Sequence, residues 1–549
     1  MGRCPLAKRT RWTWLLSAVA LVAGFALLTA AYGVGATKKT PQSPSKSQGF
    51  GNFRAVLDTI DSGDPAIAYT GQAWWAFYDV YQTLLTYKHV EGAAGYKLVP
   101  GLATSLPKIT RSGKLYTFKL RAGLKYSNGK AVKASDFKRA LKRDVIVNSP
   151  GIGFYESIVG FKRFEKTQKG DISGIKSNDK KRTVAFALTA PRGDFLTILA
   201  LIFATPVPAG TANEEQAGTV PSTGPYRLAN FDIHRGFDML RNSHFKATRY
   251  IPRGNPDRVS VTLVGDARAA VQRVINGQAD YTNAAIPPED ISRDSKRGKL
   301  RLRAAANTYY FWMNTRVFPF NKVKVRQAVN MAINRNALNK VVWGGLGQAT
   351  QNVLPPTYPS YRKLNLYPRN VAKAKAMIKA AGVAGTSVTV WGRQVSDSVQ
   401  ATTLYASYLD AIGFKTKLNF LPRSSYYQTI GNINTKAQTG WARWLEDYPH
   451  PLDWFDVLLN GDRITNELNN NFAWYSNRKT NKLIEKLSRA PTLTPSVNKQ
   501  WANVERLIMK QAPWAPWSNR VFPEFFSKKM GCIAIQRLYG IDWVRLCKK

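Results

Sequence analysis

The spacing of apolar and polar residues changes several times along the chain, and each change predicts an element. Ala55-Val56-Leu57 is a short apolar run, followed by the turn-like Asp61-Ser62-Gly63-Asp64-Pro65. Residues 74–85 (WWAFYDVYQTLL) are apolar at helical spacing, which predicts a buried helix. Residues 116–120 alternate as a strand does, and Lys125-Tyr126-Ser127-Asn128-Gly129-Lys130 has turn chemistry. Ser135 stands at the cap position of a helix over residues 136–143. Strands are predicted over residues 184–188 and 258–264, with a turn at residues 222–225 that leads into another. A helix over residues 267–276 stops at Gly277, and Ala279-Asp280-Tyr281 opens the next strand.

In the second half, residues 309–314 (YYFWMN) predict a buried strand, and residues 325–342 read as one long amphipathic helix. A helix over residues 371–381 ends at Gly382. A strand at 387–391, a helix at 400–412 and a strand at 415–420 come next. Residues 439–444 form a strand that feeds the loop 445–451, and residues 481–487 and 499–511 are helical. Strands and helices alternate throughout, so the fold class is α/β with mixed sheets.

The N-terminus departs from this pattern. Arg3, Lys8, Arg9 and Arg11 precede residues 12–36, which carry no charge and end in the small-residue site Val34-Gly35-Ala36. This is the pattern of a secretory signal, and the uncharged stretch is also long enough to be an uncleaved membrane anchor. In either case the positive flank places the rest of the chain outside the cytoplasm. Cys4 precedes the apolar run and no cysteine comes closely after it, so lipid attachment at a signal-end cysteine is not expected. Residues 37–50, rich in Lys, Ser, Pro and Gln, predict a flexible tether.

A chain of 549 residues exceeds what one core organises, so at least two lobes are expected. A hydrophobic share of 44% supports a large folded core. Lys and Arg number 80 against 34 Asp and Glu, a formal charge of +46. The basic residues are spread along the chain and form no nucleic-acid module, so no nucleic-acid partner is expected. The excess instead suits attraction to anionic envelope polymers or acidic solutes. Cys532 and Cys547 are the cysteines of the exported body, and outside the cell they are expected to form a structural disulfide.

Catalytic chemistry is hard to place. His89, His234, His244 and His450 are far apart and lack metal-ligand spacing, so neither a metal nor another cofactor is expected. There is no G-x-S-x-G elbow, Cys–His pairing or phosphate loop, so the chain does not read as an enzyme. Carboxylate pairs such as Glu446-Asp447 and Asp453 with Asp456 occur by chance in a chain this long. The stretch from Trp441 to Phe455 is different: it combines flat aromatics, carboxylates and proline-stiffened turns directly after a strand. Such a stretch furnishes a ligand cleft, and a surface loop with buried Trp anchors has the same composition.

At these residues the chain resembles the oligopeptide/dipeptide-binding family, solute-binding family 5 of ABC importers. The resemblance runs from about Asp58 to Lys549. It is carried by Leu102-Ala103-Thr104-Ser105-Leu106 through Tyr116 to Asn128-Gly129 and Ala134-Ser135-Asp136-Phe137, by Thr223-Gly224-Pro225-Tyr226, and by Asn314 with residues 325–335. It implies a two-lobed clamp of the periplasmic-binding-protein type, class II, with an extra subdomain. The implied division is lobe I at residues 51–80, 211–305 and 516–549, subdomain II at 81–210, and lobe III at 306–515. Ligand would bind between the lobes, which close by hinge motion. The family's W-x-x-D-Y region maps onto Trp444 and Asp447, with Asp447 neutralising a peptide α-ammonium and Trp444 covering the ligand. Arg443, Tyr309 and Trp441 are the neighbouring ligand-binding candidates. The implied function is capture of peptides outside the cytoplasmic membrane, at its outer face, in the cell wall or in the periplasm, by a monomer that delivers them to a permease and ATPase. An oligosaccharide cargo, or an envelope-attached adhesion or signalling role, is the alternative.

Overall fold

A computed structural model describes residues 51–549 apart from residues 217, 219, 285 and 287–289. The signal or anchor expected at 1–36 and the tether at 37–50 lie outside the described residues. Among the described residues, no helix is long and apolar enough to cross a membrane.

The main sheet joins twelve strands: β1 (Asn52–Leu57), β2 (Tyr226–Asp232), β3 (Gly236–Arg241), β4 (Arg258–Leu263), β5 (Tyr281–Thr282), β6 (Lys299–Ala304), β7 (Asn307–Met313), β8 (Gly347–Ala349), β9 (Ser387–Arg393), β10 (Lys415–Leu421), β11 (Thr439–Leu445) and β12 (Trp514–Phe526). Their spatial order is β10-β9-β11-β7-β12-β5-β1-β4-β3-β2, with β6 and β8 also paired to β12. β1 is parallel to β4 and β5, and β9 is parallel to β10 and β11. Antiparallel pairs join the rest, so the sheet is mixed, as the alternation of elements predicts.

β12 serves both ends of this sheet. Its residues 514–518 lie against β7 and its residues 521–526 against β6. β7 is buried at every position. Its side chains alternate between two cores, Tyr309, Phe311 and Met313 in one and Tyr310 and Trp312 in the other. A separate four-stranded antiparallel sheet, in the order Lys108–Thr110, Leu115–Lys119, Thr183–Ala187 and Ile175–Asn178, is built wholly within residues 108–187.

Several predicted boundaries move for local reasons. The first helix, α1 (Gly71–Val80), stops short of residue 85 because Tyr81 is extended. The Gln82 N–H then donates to Thr223 Oγ1 at 2.8 Å. Gly224 is required at that turn, since a Cβ there would stand 2.5 Å from the Asp79 carbonyl oxygen. Helix α2 (Ser135–Ile146) begins at Ser135 rather than being capped by it. The Ser135 N–H and hydroxyl donate instead to the Asp179 carboxylate, at 2.8 and 2.9 Å. The long helix predicted over 325–342 is two helices, α3 (Val323–Ala332) and α4 (Arg335–Trp343). The break comes where Ile333 is extended and Asn334 Oδ1 accepts from the Ala337 N–H at 3.0 Å, a side-chain cap that starts a new helix.

The disulfide is formed between Cys532 and Cys547, with a sequence separation of 15. The tail it closes packs on α1, where the Trp543 indole donates to the Trp75 carbonyl at 3.1 Å and the Trp543 N–H to Asp79 Oδ2 at 3.0 Å. Closing a loop of this length stabilises the fold by about 3 kcal/mol through the unfolded chain. The double variant Cys532→Ser/Cys547→Ser is therefore expected to lose about 3 kcal/mol in denaturant unfolding. Wild-type stability in that variant would show that packing alone holds the tail.

Candidate functional site

β11 lies antiparallel to β7, with Arg443 opposite Tyr309 and Trp444 opposite Thr308. The two-residue period puts Trp441 and Arg443 on one face and Ala442 and Trp444 on the other. Tyr309 and Trp441, both expected at the ligand, are fully buried in the core. The Tyr309 ring packs on Trp343, Trp441 and Trp517 at centroid distances of 4.9, 5.9 and 5.7 Å. β7 is buried at every position and β11 over residues 439–442, so both rings pack into the core beside Arg443.

Arg443 is half-buried, and its Nη1 donates to the Tyr309 hydroxyl at 3.4 Å. Two further arginines gather near it. Arg393 is buried, its guanidinium stacks on Trp441 at 4.2 Å, and its Nε has no hydrogen-bond partner among the described residues. Its nearest carboxylate is Asp397 at 3.9 Å. Arg423, exposed at the start of the helix Arg423–Ile430, has its pKa lowered by partial burial and by the positive charges of Arg443 and Arg393. Like charges drawn together in this way favour an anion.

The chain then turns, and three carboxyl groups are buried within a few residues. Prolines 449 and 451 stiffen this turn, which leads into the helix α5 (Leu452–Leu458). The Glu446 N–H is fixed to the Ala306 carbonyl at 3.0 Å. The Glu446 carboxyl accepts from the Tyr358 hydroxyl at 2.8 Å and also from the Tyr96 hydroxyl. Asp453 Oδ2 accepts from the Asp447 N–H at 3.1 Å and from the Trp444 indole at 3.2 Å. Asp453 thereby holds both Trp444 and Asp447 in place. Asp447 Oδ2 in turn accepts from the Tyr69 hydroxyl at 2.7 Å.

Asp447 accepts one hydrogen bond, where Glu446 and Asp453 each accept two. It is 8% exposed, and no lysine or arginine among the described residues forms an ion pair with it. Burial pushes its pKa up to about 7, and the Tyr69 hydrogen bond only partly opposes this. Burial likewise raises Glu446 to about 7, against the bonds from Tyr96 and Tyr358. Asp453 is raised by burial and by the neighbouring Asp447. His450 is different: burial lowers it to about 4, and its Nδ1 accepts from the Leu452 N–H at 3.1 Å, which makes it a neutral structural group.

Chain segments distant in sequence close over this turn. Tyr69, Trp74 and Phe203 form an aromatic group with centroid spacings of 5.6 to 5.7 Å. The Tyr448 hydroxyl donates to Asp194 Oδ2 at 2.9 Å. Arg192 bridges Asp194 and Asp456, at 2.7 and 3.3 Å, and Arg463 reaches Glu156 at 3.3 Å. Asp453 thus joins Trp444 and Asp447, with Tyr69 added from a distant segment, while Arg443 lies on the other face of β11 with Tyr309, Arg393 and Arg423. No local pattern marks Tyr69, Arg393 and Arg423, because they arrive from separate segments. Two surface depressions lie elsewhere. One of about 490 Å³ is lined by Asp232, Arg235, Asp238 and Arg258, and one of about 390 Å³ by residues including Asn334, Arg335 and Tyr367. Asp238 in the first is already paired with Arg258 at 2.6 Å.

Residues 97–466 match the family described as bacterial extracellular solute-binding proteins, family 5 Middle. The chain is 26% identical to the di/tripeptide-binding protein 1 of Pseudomonas aeruginosa over 77% of this chain and 80% of that one. It is 26% identical to heme-binding protein A of Haemophilus influenzae over 88% and 90%. Among solved structures, the clavulanic acid biosynthesis oligopeptide binding protein 2 superposes with a TM-score of 0.83 at 23% identity, over 91% of this chain and 95% of that one. DppA from Helicobacter pylori, in complex with the peptide STSA, superposes with a TM-score of 0.76 at 21% identity, over 91% and 99%. These likenesses establish the two-lobed binding-protein fold that the sequence predicts.

The raised Asp447 gives a pH dependence of definite sign. An acid whose folded pKa exceeds its unfolded value binds its proton more tightly when folded. Its contribution to stability is present near pH 4 and is lost as the pH rises to about 7. Asp447→Asn is therefore expected to be more stable than the ligand-free wild type at pH 8, by about 2–4 kcal/mol, with the difference shrinking toward pH 4. Unfolding curves at the two pH values check this. An equal offset at both would show that Asp447 is not a buried, uncompensated acid.

Proposed function

The chain belongs to the bacterial extracellular solute-binding proteins of family 5, and on that premise we propose that it captures short peptides with a free α-amino group and delivers them to an ABC importer. The observation that carries this reading is the buried Asp447 carboxylate, which has no cationic partner among the described residues. An enclosed carboxylate is penalised by desolvation unless a cation joins it, and a peptide ammonium supplies that charge. Tyr69 then donates to one carboxylate oxygen while the other faces the ammonium, and Trp444 covers the chain beside it. Arg393, Arg423 and Arg443 provide the opposite charge for the peptide's carboxylate end. The peptide backbone pairs as an added strand does, which gives affinity without selecting side chains.

The family's members are binding proteins rather than enzymes. We extend this to the chain itself, as a receptor without turnover. Its clamp divides into lobe I (residues 51–80, 211–305 and 516–549), subdomain II (81–210) and lobe III (306–515), and it closes as a monomer on its cargo. Its partners are a permease and an ATPase. It works outside the cytoplasm, held at the membrane by its N-terminal segment or by its basic surface. The P. aeruginosa relative, named for di- and tripeptides, supports the choice of cargo. Tyr69, the exposed ring of the group it forms with Trp74 and Phe203, favours a second reading, in which a solute such as an oligosaccharide stacks on it.

A thermal-shift screen of the full chain separates the two. Di- to tetrapeptides with free amino termini are expected to raise Tm, by about 2.7 kcal/mol of linkage at a hundredfold excess over Kd. N-acetylated versions, and any peptide offered to Asp447→Asn, are expected to give little or no shift. A response to oligosaccharides alone would overturn the peptide assignment.

A further inference from the structure

The tail closed by the disulfide carries a second polar cluster, apart from the ligand site. Asp79 at the end of α1, His89 just beyond the strand Leu85–Tyr87, and Asp542 just after the strand Gly540–Ile541 converge from three parts of the chain. All three are buried, and one donor atom from each lies within 4.8 Å of the other two. His89 Nδ1 is 3.0 Å from Asp542 Oδ1 and 3.7 Å from Asp79 Oδ1. Asp79 Oδ1, Asp542 Oδ2 and His89 Nε2 have no hydrogen-bond partner among the described residues. Two buried carboxylates thus share one imidazole, and neither forms an ion pair with a lysine or arginine among the described residues. Burial and the charge of Asp542 raise the pKa of Asp79.

We propose that Asp79, His89 and Asp542 hold a divalent metal ion of the zinc or manganese type, which clips the C-terminal tail to the first helix. The donor set is the imidazole and carboxylate mixture that such ions take. Neighbouring donors about 2.1 Å from a tetrahedral ion stand about 3.4 Å apart, and the separations of 3.0 and 3.7 Å bracket that spacing. The surroundings orient the ligands. The Trp543 N–H holds Asp79 Oδ2 at 3.0 Å, which leaves Oδ1 facing the cluster. The His89 ring stacks on Tyr78 at 4.4 Å, and Tyr78 on Tyr539 at 4.5 Å. A doubly charged ion neutralises two carboxylates that water cannot reach. The histidine and acid spacing gives no hint of this, because the three ligands meet only in the fold.

The test uses the full chain, purified without a histidine tag or chelator. Elemental analysis is expected to find about one equivalent of divalent metal per chain. A strong chelator is expected to lower Tm, and Zn²⁺ or Mn²⁺ alone to restore it. His89→Gln is expected to lose the metal. Should that variant fail to fold, the chelator response of the wild type decides. Metal well below stoichiometry, with no Tm response to chelator, Zn²⁺ or Mn²⁺, would overturn the proposal and leave His89 as an ion-pair partner of the two acids. Full metal retention by His89→Gln would equally overturn the assignment to these residues.

Discussion

A carboxylate taken out of water must find a cation or hold its proton, and the Asp447 turn is arranged so that neither choice is free. Asp453 fixes the backbone of Asp447 and the indole of Trp444 from below, at 3.1 and 3.2 Å. Burial and the neighbouring Asp447 raise the pKa of Asp453 itself, so the pair does not readily carry two charges. Tyr69 supplies one hydrogen bond at 2.7 Å from a distant segment. That is enough to orient the carboxyl group and too little to stabilise its charge. On the proposed reading this balance suits a positively charged guest, and the gathered guanidinium groups of Arg393, Arg423 and Arg443 suit the opposite charge.

The rest of the molecule serves to hold these groups at fixed positions while letting other segments approach. β7 is buried on both faces, and β11 takes its register from it, so Arg443 and Trp444 leave the sheet in defined directions. β12 pairs with β7 along its first residues and with β6 along its last, so both ends of the sheet share one backbone. The contacts that close over the turn include the polar pairs Tyr69–Asp447, Tyr96–Glu446, Tyr448–Asp194, Arg192–Asp456 and Arg463–Glu156, beside the ring contact of Phe154 with Tyr448. Polar contacts of this kind form and break more readily than the packed cores behind them, which is what a closing clamp requires.

Much of this was legible in the sequence, and the parts that were not share a cause. β7 and β11 carry strand patterns because their burial is set by neighbours in the same sheet. The turn after β11 stood out because its prolines, aromatics and acids are contiguous. The break between α3 and α4 was hidden, since the apolar period runs through it and only the Asn334 cap reveals it. β12 escaped notice because Pro516 and Pro523 read as strand breakers, yet they sit opposite Tyr310 and Leu302 within the sheet. Tyr69 and Arg393 gave no signal, because their roles exist only once segments far apart in the chain have met.

On the proposed reading, Asp447 waits in its neutral form and ionises when an ammonium arrives. Calorimetric titration of a free-amine dipeptide at pH 6, in buffers of different ionisation enthalpy, counts the protons exchanged on binding. With Asp447 near pKa 7 before binding, close to one proton should be released at pH 6, and fewer as the pH rises through 7. Tight binding at pH 6 with no proton released would contradict the account, since the ammonium would then be meeting a carboxylate already ionised or a different group altogether.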